Sequence, residues 1–142
     1  MLDIQKLGKF KETSPTLDFI HVENKFGPDG EGSVQQNMQV INTLSDDRRL
    51  LWVTIAMSVN LTSATDDKKS LLVSEIRGHV GYVFEEQLEK AILNDPDIVH
   101  VFATPLYQRL AEMLLSNLRV MGFNVSLPLA KIPKEIVRHP TS

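Results

Sequence analysis

The chain has 142 residues, 42% of them apolar, and its 15 basic and 18 acidic side chains give a net charge of −3 with no cysteine. This length sets one domain, 1–142, as the expectation, with a core large enough to fold without disulfides or metal. The missing cysteine excludes disulfide scaffolds, thiolate zinc sites, iron–sulfur ligation and cysteine nucleophiles, and the acidic balance leaves no basic field for nucleic acid or anionic lipid.

The opening MLDIQKLGKFKE lacks the apolar run of a signal peptide, and no stretch reaches the ~18 apolar residues of a membrane span, so a cytoplasmic protein without membrane insertion is expected. Leu17 to Phe26 is a weak strand candidate, set off by the glycine-rich GPDGEG and suited to a sheet edge. In the next segment Val34, Met38 and Val40 alternate with Gln35, Asn37 and Gln39, and Ser45-Asp46-Asp47-Arg48 supplies a turn. The clearest strand is Leu51 to Thr62, where every odd position is apolar and most even ones are small or polar. After a polar turn at Ser63 to Lys69, Leu71 to Phe84 places Leu72, Ile76, Val80, Tyr82 and Phe84 on one face and Glu75, Arg77 and His79 on the other. Strands joined by short polar turns, each with one packed and one wetter face, predict an antiparallel meander.

The period then changes to 3.6. Glu85 to Leu93 reads as a short helix with acids in its first turn, ended by Asn94-Asp95-Pro96-Asp97. A longer helix is predicted from Thr104 as N-cap and Pro105 at the first helical position to Met121, with Gly122 as a left-handed C-cap. Its polar arc of Gln108, Arg109, Glu112, Ser116 and Arg119 leaves more than half the circumference apolar, wider than packing on one sheet needs. The surplus predicts a second burial surface, another subunit or a groove. The tail from Val125 to Ser142, with Pro128, Pro133 and Pro140, is expected to be extended and partly irregular.

No motif points to catalysis. The histidines His21, His79, His100 and His139 lack helical ligand spacing, so no metal site is expected; His79, between Gly78 and Gly81, is the one beside a possible close backbone approach. There is no nucleophile elbow, and GPDGEGS lacks the lysine of a phosphate-binding loop. The acid pairs Asp46-Asp47, Asp66-Asp67 and Glu85-Glu86 fall in turns or at a helix start, the ordinary places for solvated carboxylates. Trp52 lies on the polar side of its strand, while Tyr82, Phe84, Phe102 and Tyr107 gather near the strand-to-helix junction, where aromatics serve as core, subunit interface or a seat for apolar peptide.

Leu72-Val73-Ser74-Glu75-Ile76, followed by Gly78, Gly81 and Phe84, then Pro105-Leu106-Tyr107 and a late Leu127-Pro128-Leu129, resembles the protein-export chaperone SecB and its superfamily. The resemblance covers roughly residues 15 to 133, with irregular extensions on either side. One extra residue near the tyrosine, a different glycine spacing and the lack of an acidic metal-associated tail make the chain more similar to a divergent, uncharacterised Gram-positive branch than to the export chaperone itself.

The resemblance implies an α+β fold, a four-stranded antiparallel sheet with helices packed on one face, assembled as a dimer or dimer of dimers. It also implies binding of unfolded, apolar polypeptide in grooves between sheet and helices, with neither cofactor nor catalysis. The groove residues would then correspond to Trp52, Tyr82, Phe84 and Tyr107. Contact with an export motor protein would map to Val73 and Glu75, with Asp18 and Glu23 as further candidates. Leu115 and Leu118, on the surplus apolar arc, are the expected oligomer-interface residues. The alternative reading is an oligomeric scaffold of the same fold that binds no client.

Overall fold

The computed structural model describes residues 7–24, 32–63, 70–127 and 137–138. Its elements in chain order are β1 (Phe10–Glu12), β2 (Thr16–Asn24), β3 (Gly32–Leu44), β4 (Leu50–Ser63), β5 (Ser70–Phe84), a 3₁₀ turn (Lys90–Asn94), α1 (Pro96–Val120) and β6 (Val137–Arg138). GPDGEG up to its last glycine, most of the Ser63 to Lys69 turn and most of the proline-containing tail lie outside the described residues.

β3, β4 and β5 form the antiparallel meander that their alternation predicts. The turn between β3 and β4 is closed by the Ser45 amide donating to the Leu50 carbonyl (2.9 Å) and the Arg48 amide donating to the Ser45 carbonyl (2.9 Å). β1 and β2 both pair antiparallel with β5, one after the other along the same edge, and β6 adds a two-residue parallel pairing to β3. Among the described residues the sheet thus has six strands in five positions across, one position more than the expected four because of β6, and its first position is broken in two. The break falls at Pro15, which has no amide to donate. Just before it, Thr13 donates its amide to the Gly81 carbonyl and accepts the Gly81 amide on its hydroxyl, both at 2.8 Å.

The α+β class holds, but the helical part differs from expectation. Glu85 to Leu93 is not a helix; only the single 3₁₀ turn forms there. The stretch is tied instead to neighbouring backbone, Glu85 donating its amide to the Lys9 carbonyl (3.1 Å) and Leu88 to the Arg48 carbonyl (2.7 Å). The long helix starts at Pro96, not Pro105. Asp95 is its N-cap, accepting the Asp97 amide at 2.9 Å, so the Asn94 to Asp97 stretch opens a helix instead of closing one. Pro105 lies inside α1, and beside it the Thr104 hydroxyl donates to the His100 carbonyl. The internal proline costs ~3 kcal/mol, which burial of Phe102, Ala103, Leu106 and Tyr107 around it offsets. At the other end Gly122, with φ of 92°, closes a Schellman motif: the Phe123 amide donates to the Leu118 carbonyl (2.9 Å) and the Gly122 amide to that of Arg119 (3.0 Å).

The core lies between α1 and one face of the sheet. Ile55, Leu72, Ile76 and Val80 meet Leu106, Leu110 and Leu114, all at most 2% exposed. Gly78 sets the distance, since a Cβ there would stand 2.8 Å from Leu110 Cδ2 and 2.9 Å from the Thr16 carbonyl oxygen. The expected surplus on the helix is corrected here. Leu115 and Leu118 are 3% and 0% exposed within this single chain, because the chain after Gly122 returns Phe123 and Val125 to the same core. Of the large apolar side chains described on α1, Val101, Met113 and Val120 remain exposed. Among the described residues no helix is long and apolar enough to cross a membrane.

Candidate peptide-binding surfaces

The pairing register sorts the candidate residues onto two faces. On the face away from α1, Glu23 stands opposite Val73, His21 opposite Glu75 and Phe19 opposite Arg77. The partner-contact candidates Val73, Glu75 and Glu23 therefore share one patch. Asp18 joins them through a bulge in β2 between Leu17 and Phe19, but its carboxylate turns back onto the sheet. One oxygen lies 2.8 Å from His79 Nδ1 and the other 3.8 Å from Arg77 Nε. A groove of about 340 Å³ runs beside this patch, bounded by Phe19, Glu75 and the short side chains Ala56 and Ser58. Phe19 is 44% exposed, an aromatic of this surface that strand alternation alone left unremarked.

The groove candidates do not form one groove. Trp52 pairs with Gly81 and belongs to the outer face, its ring 5.6 Å from that of His79. A Cβ on Gly81 would stand 3.0 Å from the indole, so this glycine makes room for Trp52 just as Gly78 makes room for Leu110. Tyr82, Phe84 and Tyr107 lie on the opposite, helix-facing side. Tyr107 is fully buried, and Gln36 Nε2 donates to its hydroxyl at 3.3 Å. Burial raises the Tyr107 pKa, and the Gln36 hydrogen bond pulls against that rise.

Tyr82 and Phe84 belong instead to an aromatic corner with Phe102 of α1. The Tyr82 and Phe102 ring centroids are 4.7 Å apart, those of Phe84 and Phe102 5.8 Å, and the Tyr82 hydroxyl donates to the Phe102 carbonyl at 2.8 Å. Burial, and then the Glu12 charge, push the Tyr82 pKa up to about 12, so it serves as a neutral hydrogen-bonding phenol. Phe10, like Phe19, is a residue that sequence reasoning missed. It lies in a segment expected to be irregular, yet its ring is 6.0 Å from Tyr82, 5.2 Å from Phe84 and 5.4 Å from Phe102, and it stays 39% exposed. The aromatic corner thus reaches the surface through β1. Among the described residues no three His, Asp or Glu side chains gather into a group able to hold a metal ion.

Among solved structures, a SecB-like chaperone from Mycobacterium tuberculosis in complex with a ChAD peptide from an antitoxin superposes with a TM-score of 0.69 over 91% of this chain and 99% of its own, at 10% identity. The fold is SecB-like. A protein of unknown function from Streptococcus agalactiae superposes with a TM-score of 0.50 over 84% of this chain and 97% of its own, at 8% identity. No protein-family model matches the sequence, and no curated protein matches it. The shared fold at 10% identity is what is expected when volume and pattern specify a core more than residue identity does.

Proposed function

We propose that this chain is a non-catalytic SecB-like chaperone or adaptor, acting in the cytoplasm, that holds extended apolar polypeptide segments. The observation that carries the reading is the aromatic corner of Tyr82, Phe84 and Phe102, which opens to solvent at Phe10 on the edge strand β1. Aromatic rings give large contact area at little ordering cost, and a sheet edge offers backbone hydrogen bonds whatever the client sequence. The solved neighbour with a bound peptide supports the same reading. Adding the protein in near-stoichiometric amount to a reduced, unfolded model protein should suppress its aggregation; unchanged light scattering from the aggregating client overturns the proposal.

The scaffold alternative rests on the apolar side chains that α1 exposes, Val101, Met113 and Val120, the last 87% exposed. Met113 and Val120, seven residues apart on one side of the helix, favour self-association as a dimer or dimer of dimers. Light scattering at micromolar concentration should then give a mass above that of the monomer. An oligomer that leaves client aggregation untouched would favour the scaffold. The outer patch of Val73, Glu75 and Glu23 is the surface proposed to meet an export motor protein.

A further inference from the structure

The aromatic corner already has an occupant from its own chain. β1 is three residues long, all exposed, and its pairing within the described sheet is with β5 alone. Phe10 nonetheless lies against three rings that are themselves 2% to 3% exposed. The flanking backbone follows the ladder of an added strand: the Glu85 amide donates to the Lys9 carbonyl at 3.1 Å, and the Thr13 amide to the Gly81 carbonyl at 2.8 Å. Beside it a 640 Å³ groove bounded by Lys9, Lys11, Val83 and Glu85 is open to solvent.

We propose that β1 is a displaceable plug, Phe10 holding the seat that an extended, aromatic-bearing polypeptide segment takes when it adds antiparallel to the edge of β5. The inference rests on the chaperone reading and names the seat and the side chain it selects. Three features suit β1 to this role. It is short, so few bonds are exchanged. It is separated from β2 by the break at Pro15, so it can leave while β2 keeps its register. It also displays the chemistry that the seat accepts, an aromatic on the inner side of an extended strand, so a client needs only to reproduce Phe10 and its backbone. A seat filled from within binds outside ligand more weakly by the fraction of time that it stands empty.

The test uses the full chain and a fluorescein-labelled GKFKETS peptide, the sequence of Gly8 to Ser14, with a second peptide carrying alanine for phenylalanine. Phe10→Ala empties the seat and should bind the phenylalanine peptide about tenfold more tightly than wild type, while neither protein binds the alanine peptide. Lys11→Cys with Val83→Cys locks the plug without touching the core. These residues face each other in the pairing register, and opposed Cα atoms in an antiparallel ladder lie roughly 4.5–5.5 Å apart, within disulfide range. With no native cysteine to interfere, the oxidised form should lose peptide binding and aggregation suppression, and reduction should restore both. Circular dichroism checks that Phe10→Ala folds; if it does not, the locked pair decides alone. Equal peptide binding by locked and reduced forms, or by wild type and a folded Phe10→Ala, overturns the plug, as does a peptide that binds no form. If wild type still suppresses aggregation in those cases the chaperone reading stands, whereas peptide binding without aggregation suppression overturns that reading and leaves the plug.

Discussion

On β4 the odd-numbered side chains from Leu51 to Leu61 are 0% to 8% exposed, whereas the even-numbered ones from Trp52 to Thr62 are all partly exposed. One strand, with one backbone geometry, serves two surfaces under opposite constraints. The inner surface is matched to α1 so closely that Gly78 has no room for a methyl group. On the outer surface the ionic contacts are made in partial solvent, with the His79 and Asp18 side chains 32% and 30% exposed. Stability should therefore be concentrated on the first surface, leaving the second free to vary with whatever partner it meets.

The largest effects should come from breaking the inner face. Ile55→Asp would place an unpaired carboxylate among fully buried side chains and should leave the chain unfolded by circular dichroism. Leu114→Ala, at a position 0% exposed, should cost ~2–5 kcal/mol in a denaturant melt. Wild-type midpoints for both would show that strand and helix do not face each other as described.

Gly78→Ala sharpens the comparison, because it adds one carbon without polarity. With Leu110 and the Thr16 carbonyl both under 3.0 Å from the new Cβ, overpacking should cost ~1–3 kcal/mol. Thr16 is backbone and cannot rotate away, so a Leu110→Ala background should restore only part of the loss. Full recovery would mean that helix packing alone requires the glycine.

How much of this could be read from the chain depended on how local each signal was. Strand alternation in Leu51 to Thr62 needs no partner to be visible, and the meander followed from it. The same alternation put Trp52 on the polar side and Tyr82 on the packed side; it was the resemblance that grouped them in one groove, and the register pairing Trp52 with Gly81 keeps them on opposite faces. The start of α1 was obscured because Asp95-Pro96 and Thr104-Pro105 carry the same N-terminal chemistry and only the core decides between them. Leu115 and Leu118 looked superfluous because the segment that brings Phe123 and Val125 to their core lies beyond Gly122. Phe10 gave almost no signal: a three-residue strand is too short to show a period.

On the outer face, Glu75→Lys should change stability by no more than about 0.5 kcal/mol, since Glu75 is exposed and in no described ion pair. The same change should weaken any complex with an export-motor-like protein, more so at low salt, because rim charges govern encounter and specificity. Equal binding by wild type and variant, tested by surface plasmon resonance at two salt concentrations, would remove the outer patch from consideration.

The smallest expected effect lies where β3 turns into β4, away from both faces. The Asp47 carboxylate accepts from the Ser45 hydroxyl at 2.5 Å and from the Arg49 amide at 3.1 Å. The Ser45 hydrogen bond above all, then that of Arg49, holds its pKa below the ordinary value of 3.8. A carboxylate whose folded pKa is depressed adds stability that is present above its unfolded pKa and fades as pH falls through the folded one. The protection factors of the Arg49 and Leu50 amides should therefore fall below about pH 4, before those of the sheet amides respond. Asp47→Asn keeps the shape and cannot titrate, so it should show no such step. If wild type and Asp47→Asn open the turn at the same pH, the carboxylate does not hold it, and Arg48, with its φ of 57°, becomes the residue to test by replacement with glycine.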